Sequence, residues 1–385
     1  MNYEKHLYDT TFESEAQLEV RELARKFARD RILPLVEHDE LSQTFRPEII
    51  RELGELGLTG IPTDEAFGGM GLGYQEYVAV VQELAAVSAS YAVSVCVSGL
   101  PQMIIQKFGT EAQKQKYIPS LASGQAIGAF ALSEAGSGSD AGSLRTTAVK
   151  HGDHYILNGT KLWITQADDA EVMIMMARTG VEGPKGVSAF ILEKGMPGIK
   201  MGKKEKKMGL NISHTMEVLL ENVKVPAENL IGNEGDGMKV ALSALDSGRI
   251  TISATALGVA RSAIEESVKH ANLREQFGKA IVEFQGLGFM LADMINDYHA
   301  AKLVVQKAAF LKDQDREHSV AAAQAKVIST DMCMKVTTDA VQVLGGSGYT
   351  QEFPVERFMR ESKVFQIFEG TNQIQRLVIS RALKG

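Results

Sequence analysis

The sequence predicts a multidomain α+β protein, with an all-helical N-terminal domain over residues 1–125, a barrel-like β domain over 126–234 and a second helical domain over 235–385. Three observations predict it. At 385 residues the chain exceeds what one ordinary hydrophobic core fills, so two or three domains are expected. Apolar residues recur at three- and four-residue steps toward both ends of the chain. Between those ends, turn dipeptides separate short apolar runs.

Taken in order, Ala16, Val20, Leu23, Ala24, Phe27 and Ala28 mark a first helical face, which Pro34 interrupts. Pro47 begins a second helix that runs to Leu56, with Gly57 at its end. The glycine-rich run 68–73 reads as a flexible connector, followed by helical stretches at 75–88 and 111–121. The texture changes at Ala126, where a short apolar run reaches Leu132. Runs 146–149 and 155–157 flank the turn His151-Gly152-Asp153, and Asn158-Gly159 predicts a second turn before 161–165. Further runs at 172–177, 187–192, 199–201 and 216–220 suggest a small barrel or sandwich. Helical periodicity resumes around Gly235-Asp236-Gly237 and continues through 238–273, 284–311, 320–344 and a closing helix.

Composition narrows the function. Hydrophobic residues at 44% and charged residues at 23% are the balance of a soluble globular protein. A formal net charge of -7 argues against nucleic acid as a partner, because no basic field is available to neutralise phosphates. The two cysteines, Cys96 and Cys333, are too few for a disulfide framework or a zinc site and read as buried thiols in a reducing compartment. Residues 1–11 carry no apolar signal region and no apolar run reaches membrane-spanning length, so no membrane association and a cytoplasmic location are expected. No metal-hydrolase, serine-esterase or P-loop motif occurs, and no metal site is expected.

Several short motifs carry chemistry. Gly136-Ser137-Gly138-Ser139-Asp140-Ala141 matches the dinucleotide fingerprint, but no helix opens after it, which excludes a Rossmann reading. Its backbone donors still suit a phosphate or a polar cofactor edge. Trp163, the sole tryptophan, reads either as core or as the wall of a flat cofactor beside Thr165. Asp246-Ser247-Gly248-Arg249 places a helix-weakening glycine inside a charge pair three residues apart, either an intrahelical bridge or a ligand contact. Gln342-Val343-Leu344-Gly345-Gly346 ends a helix in glycines. The basic cluster 203–207 reads as a solvated surface. In the run Val364-Phe365-Gln366-Ile367-Phe368-Glu369-Gly370-Thr371-Asn372-Gln373 one carboxylate follows apolar residues at a loop-to-helix corner. Glu369 is thus either a helix-start glutamate or a desolvated general base.

Together these stretches resemble the acyl-CoA dehydrogenase family of flavoenzymes, nearly end to end. Ala131-Leu132-Ser133-Glu134 through Asp140 is similar to the family's first signature, with Ala135 where proline is usual. Arg274-Glu275-Gln276-Phe277-Gly278 resembles a cofactor-binding stretch, 340–349 the second signature, and Phe368-Glu369-Gly370-Thr371 the site of the base. The resemblance implies a C-terminal four-helix bundle, one non-covalent FAD per subunit and α,β-dehydrogenation of an acyl-CoA thioester in fatty acid β-oxidation or related lipid metabolism. It further implies that Phe130, Leu132, Ser133, Trp163 and Thr165 line the flavin ring. Arg274, Phe277, Gln285, the stretch Gln342, Val343, Gly345 and Gly346, and Thr371 with Gln373 would hold the pyrophosphate and adenosine, partly from a neighbouring subunit of a homotetramer. Ser139, Asp246 and Arg249 would contact the CoA portion, and Gly370 the acyl part.

Some branches of the family place the base on the helix of 246–249, but the matching position here is Gly248, which leaves Glu369. Phe368 stands where tyrosine is common, removing a hydroxyl next to the base. Family geometry implies an oxyanion hole from the Glu369 N–H and a flavin hydroxyl, hydride transfer from the β carbon to flavin N5, and reoxidation by an electron-transferring flavoprotein. A pocket near 95–101 would set acyl length, with short chains favoured. Rival expectations are an oxygen-using acyl-CoA oxidase, a nitroalkane-oxidising relative (disfavoured by glutamate at 369) and a silent flavin-binding scaffold.

Overall fold

The computed structural model describes residues 4–384. Its first long helix, Glu15–Phe27, starts where Ser14 and Gln17 cap each other: the Ser14 hydroxyl accepts the Gln17 N–H at 3.2 Å, and the Gln17 side chain accepts the Ser14 N–H at 2.7 Å. The interruption at Pro34 takes the form of a π-helical turn, Ala28–Ile32, after which Leu33–Ser42 continues the helix. The wider turn accommodates a residue that has no N–H to donate and whose ring crowds the preceding turn. Helices Pro47–Glu55, Tyr74–Val87 and Glu111–Ala122 fall where periodicity placed them. The helix Ala89–Phe108 was not singled out by periodicity, because it is buried on nearly every side and so has no polar face to mark its period. Run 68–73 forms a connector, with Gly68 and Gly71 at positive φ.

Eight strands then form one sheet of two halves. Ile199–Lys204, Thr215–Pro226, His154–Thr165 and Thr147–His151 pair antiparallel in that order. Gly128–Ala131 runs parallel to Val172–Arg178, which pairs with Val187–Glu193 and through it with Leu230–Ile231. A single pairing, Thr147 with Arg178, joins the halves. The turn expected at Asn158-Gly159 is corrected: both residues lie inside one continuous twelve-residue strand, at a β-bulge. Gly159 takes φ 153°, and a Cβ there would fall 2.5 Å from Thr146 Oγ1. Asn158 Oδ1 accepts the Asn222 N–H at 2.8 Å across the bulge. Bulges and turns favour the same residues, so local sequence does not separate them.

The final third is helical: Gly237–Leu273, Gln285–Asp313, Ser319–Leu344, Val355–Phe365 and Asn372–Arg381. A small ribbon, Glu275–Gln276 with Lys279–Ala280, interrupts it and was not foreseen. The N- and C-terminal helices share one core, in which Val81 and Leu84 meet Ala256, Leu257, Ala260 and Cys333. Gly258 permits the contact, since a Cβ there would lie 2.4 Å from the Gln82 carbonyl oxygen. Both cysteines are buried and unpaired, and burial pushes the Cys96 thiol up to about 12. Among the described residues no helix is long and apolar enough to cross a membrane.

Candidate active site

Glu369 lies between helices Val355–Phe365 and Asn372–Arg381, in a corner where it takes φ 54° and Gly370 takes φ 85°. Glycine adopts this left-handed backbone freely, whereas for glutamate it costs about 1–2 kcal/mol. The corner is therefore held from outside. The Gly370 carbonyl accepts from Lys326 Nζ at 2.9 Å and from Gln375 Nε2 at 2.8 Å. Lys326 also donates to Asn372 Oδ1 at 2.8 Å, and Asn372 Nδ2 donates to Asp331 Oδ1 at 2.7 Å. Thr371 caps the following helix, its hydroxyl accepting the Ile374 N–H at 3.3 Å. Phe368 stacks on Phe365 with ring centres 5.9 Å apart.

The Glu369 residue as a whole is partly exposed, but its Oε2 is sealed from solvent and has no hydrogen-bond partner. It rests on the long helix where Gly248 leaves room: a Cβ at 248 would come within 2.5 Å of Oε2. Burial pushes the carboxyl up to about 7, against the pull of the Arg249 and Lys326 cations. Burial likewise pushes the Lys326 amine down to about 7, with Glu369 opposing and Arg249 reinforcing the fall. Arg249 is itself buried and bridges Asp246 at 2.5 Å, so the charge pair three residues apart exists. It nevertheless leaves the Arg249 Nε buried and unpartnered beside the site. Ser319 Oγ donates to the same Asp246 oxygen at 3.0 Å. No hydrogen bond among the described residues engages the Glu369 N–H.

A cavity of about 360 Å³, lined by Tyr74, Tyr77, Gly99, Gln102, Met103, Lys107 and Lys312 among others, includes part of the stretch expected to set acyl length. It adjoins the long helix, since Met103 Sδ lies 3.9 Å from Ser247 Oγ and Lys107 donates to Ser243 at 3.0 Å.

The remaining sequence-derived residues fall into two groups. Phe130, Leu132 and Ser133 are brought beside the strand of Trp163 and Thr165, because the Leu162 N–H donates to the Ser133 carbonyl at 2.9 Å and Lys161 Nζ to the Leu132 carbonyl at 3.0 Å. Lys161 is wholly buried and paired with Glu134 at 2.8 Å. Trp163 is not core: it is 59% exposed, at φ 65°, an apolar wall with no ring partner among the described residues. The Leu132 side chain is buried in the core, so only its backbone can face a ligand. Ser139 is exposed in the Gly/Ser loop. In the second group Arg274, Phe277, Gln285, Gln342, Gly345, Gly346 and Gln373 are all exposed, and Phe277 is 94% so. Val343 packs its side chain into the core. Exposed rings, hydroxyls and a free arginine, with glycines 136, 138, 345 and 346 where a Cβ would meet nothing within 4 Å, are a donor set that fits FAD.

Lys326 and Gln375 were missed in the sequence, as was the role of Gly248 as space for the carboxylate. Lys326 carried a signal: one lysine on a helix face otherwise made of the small residues Ala322, Ala323, Ser329 and Thr330, all buried. Asp168, Asp169 and His214 lie close enough to hold a metal, but the His214 nitrogens already face Asp168 Oδ2 at 2.7 Å and the Gln43 carbonyl at 3.1 Å.

Residues 14–125, 129–223 and 235–384 match the models of the N-terminal, middle and C-terminal domains of acyl-CoA dehydrogenase, respectively. The chain is 45% identical to an acyl-CoA dehydrogenase of Bacillus subtilis, over 97% of this chain and 99% of that one. It is 42% identical to a short-chain specific acyl-CoA dehydrogenase of Clostridium acetobutylicum, over 94% and 96%. In three dimensions it superposes with a TM-score of 0.94 on a chain from a structural study of the electron transferring flavoprotein of Acidaminococcus fermentans, at 45% identity over 96% of this chain and 98% of that one.

Proposed function

The chain belongs to the acyl-CoA dehydrogenase family, and from that premise we propose that Glu369 is the base in the α,β-dehydrogenation of a short acyl-CoA, straight or with a small branch, to its trans-2-enoyl-CoA. One observation carries the role of the base: a sealed, unpartnered carboxyl oxygen whose proton affinity burial has moved to about 7. Such a group takes up a proton near neutral pH without wasting driving force. Glu369 removes the proton α to the thioester, and its free backbone N–H stabilises the developing enolate oxygen. Arg249 and Asp246 orient the CoA portion. FAD, when bound, supplies the acceptor for the hydride lost from the β carbon. Phe130, Ser133, Trp163 and Thr165 hold its ring system, while Arg274, Phe277, Gln285, Gln342 and the 345–346 glycines bind its polar end.

The exposed apolar side chains Phe277, Leu273, Phe289 and Tyr349 favour cover by a neighbouring subunit, in keeping with a homotetramer. The likeness to a chain studied with an electron transferring flavoprotein supports that class of protein as electron acceptor. Two buried thiols suit a cytoplasmic setting. The test is the visible spectrum under anaerobic conditions. The purified protein is expected to be yellow and to bleach with butyryl- or isobutyryl-CoA in preference to octanoyl-CoA. A protein that stays colourless after reconstitution with FAD overturns the reading, and one bleached only by octanoyl-CoA overturns the short-chain assignment.

A further inference from the structure

Lys326 lies on helix Ser319–Leu344, outside every motif that identifies the site, and its side chain is completely buried. A buried lysine is costly unless its ammonium is bonded and opposed by charge. Here it donates to two groups just after Glu369 in the turn, the Gly370 carbonyl and Asn372 Oδ1. We propose that Lys326 is a positioning residue for Glu369, pinning the left-handed corner through the Gly370 carbonyl while its ammonium biases the neighbouring carboxyl toward the ionised, proton-accepting form. This rests on the reading of Glu369 as the base.

The geometry separates the two roles. Gln375 Nε2 also holds the Gly370 carbonyl, and Asn372 keeps Thr330 and Asp331 as partners without the lysine. Removing the ammonium therefore takes away one of the two holds on the Gly370 carbonyl and leaves the other, so the lysine's contribution can be read in a turn that still forms. The charged and titratable groups around the pair are few: Arg249 from the long helix, Asp331 from the lysine's own helix and Cys96 from Ala89–Phe108. Burial and Arg249 favour the neutral amine, while the Glu369 carboxylate, with Asp331 behind it, favours the charged one.

The test compares holoenzyme carrying Lys326→Met, Lys326→Arg and Glu369→Gln. In Lys326→Met the acidic limb of kcat/KM against pH is expected to move upward by about one pH unit, the low end of what losing a nearby opposite charge does. FAD content should not change, and Lys326→Arg should leave the limb near its original position. Carbon-13 spectra of protein labelled at the glutamate carboxyl supply a readout independent of turnover. The resonance absent from Glu369→Gln should titrate higher in Lys326→Met by the same amount. An unmoved limb and resonance in a folded, flavin-bound Lys326→Met overturns the proposal. If Lys326→Met does not fold, Lys326→Gln, which keeps a donor for the Gly370 carbonyl without the charge, decides by the same two readouts: a raised limb and resonance uphold the proposal, and unmoved ones overturn it. Full turnover in Glu369→Gln would instead remove the base assignment, a separate failure.

Discussion

Glu369 combines two costs that a merely structural glutamate would avoid, a left-handed backbone and a carboxyl oxygen buried without a partner. Such local expense concentrates at functional sites. Replacing it with glutamine retains the shape and removes the charge. Turnover is expected to fall by several orders of magnitude with FAD still bound, which single-turnover bleaching with substrate measures directly. Stability should move in the opposite direction. The folded carboxyl takes up its proton near 7 rather than the ordinary 4.5, so the penalty for ionising it in the folded state is absent below 4.5, grows between 4.5 and about 7 and is constant above. Each unit is worth about 1.4 kcal/mol. Thermal melts of Glu369→Gln should therefore exceed wild type at pH 8 and converge with it near pH 4.5; a variant less stable at pH 8 would contradict the desolvation argument.

At the scale of the element, the long helix Gly237–Leu273 shows why a residue that weakens helices stands at 248. Alanine there would favour the helix by roughly 1 kcal/mol. Its Cβ would also take the place of the Glu369 carboxylate. Gly248→Ala is expected to keep or raise the melting temperature while kcat falls by about tenfold or more, since a base displaced by even about 1 Å loses its reach; unchanged kcat would show that the carboxylate has another productive position. The oddity of that glycine was visible in the sequence, but its cause was not, because the group that needs the space comes 121 positions later (369 minus 248). The same division holds elsewhere. Surface-facing helices such as Glu15–Phe27 announced themselves by period, and the base by an apolar run ending in glycine. The fully buried Ala89–Phe108 had no period to show, and the Asn158-Gly159 bulge used the vocabulary of a turn. Lys326 stands out on its helix face, but its partners Gly370 and Asn372 lie 44 and 46 residues along the chain, which no local pattern encodes.

For the whole molecule, the N-terminal helices and the long helix that carries Gly248 share one core, so the packing of one supports the other. The tie between them is polar as well as apolar. Glu83, on Tyr74–Val87, is buried and bonded to Arg261 of the long helix at 2.6 and 2.7 Å, to Arg21 at 2.5 Å and to Arg25 at 3.1 Å. Burial alone would raise its proton affinity, but Arg261 first, and then Arg21 and Arg25, hold the carboxyl far below the usual range. Glu13 shares the load, pairing with Arg21 at 2.7 Å and with Lys302 at 3.1 Å. Swapping such a cluster whole for apolar residues can be neutral, whereas removing one partner strands the others. Glu83→Gln would leave three arginines around an uncharged amide, at a cost of roughly 3–5 kcal/mol. The contribution of a carboxyl held this low is complete above the ordinary carboxylate range and is lost only as pH falls through its folded value. Denaturant melts should accordingly show a constant deficit for Glu83→Gln from pH 8 to about 5, shrinking below about 4 as the unfolded wild-type glutamate begins to take up its proton. A deficit that disappeared at neutral pH in moderate salt would mean that these charges are screened like surface pairs, and that the shared apolar core alone holds the two helical ends together.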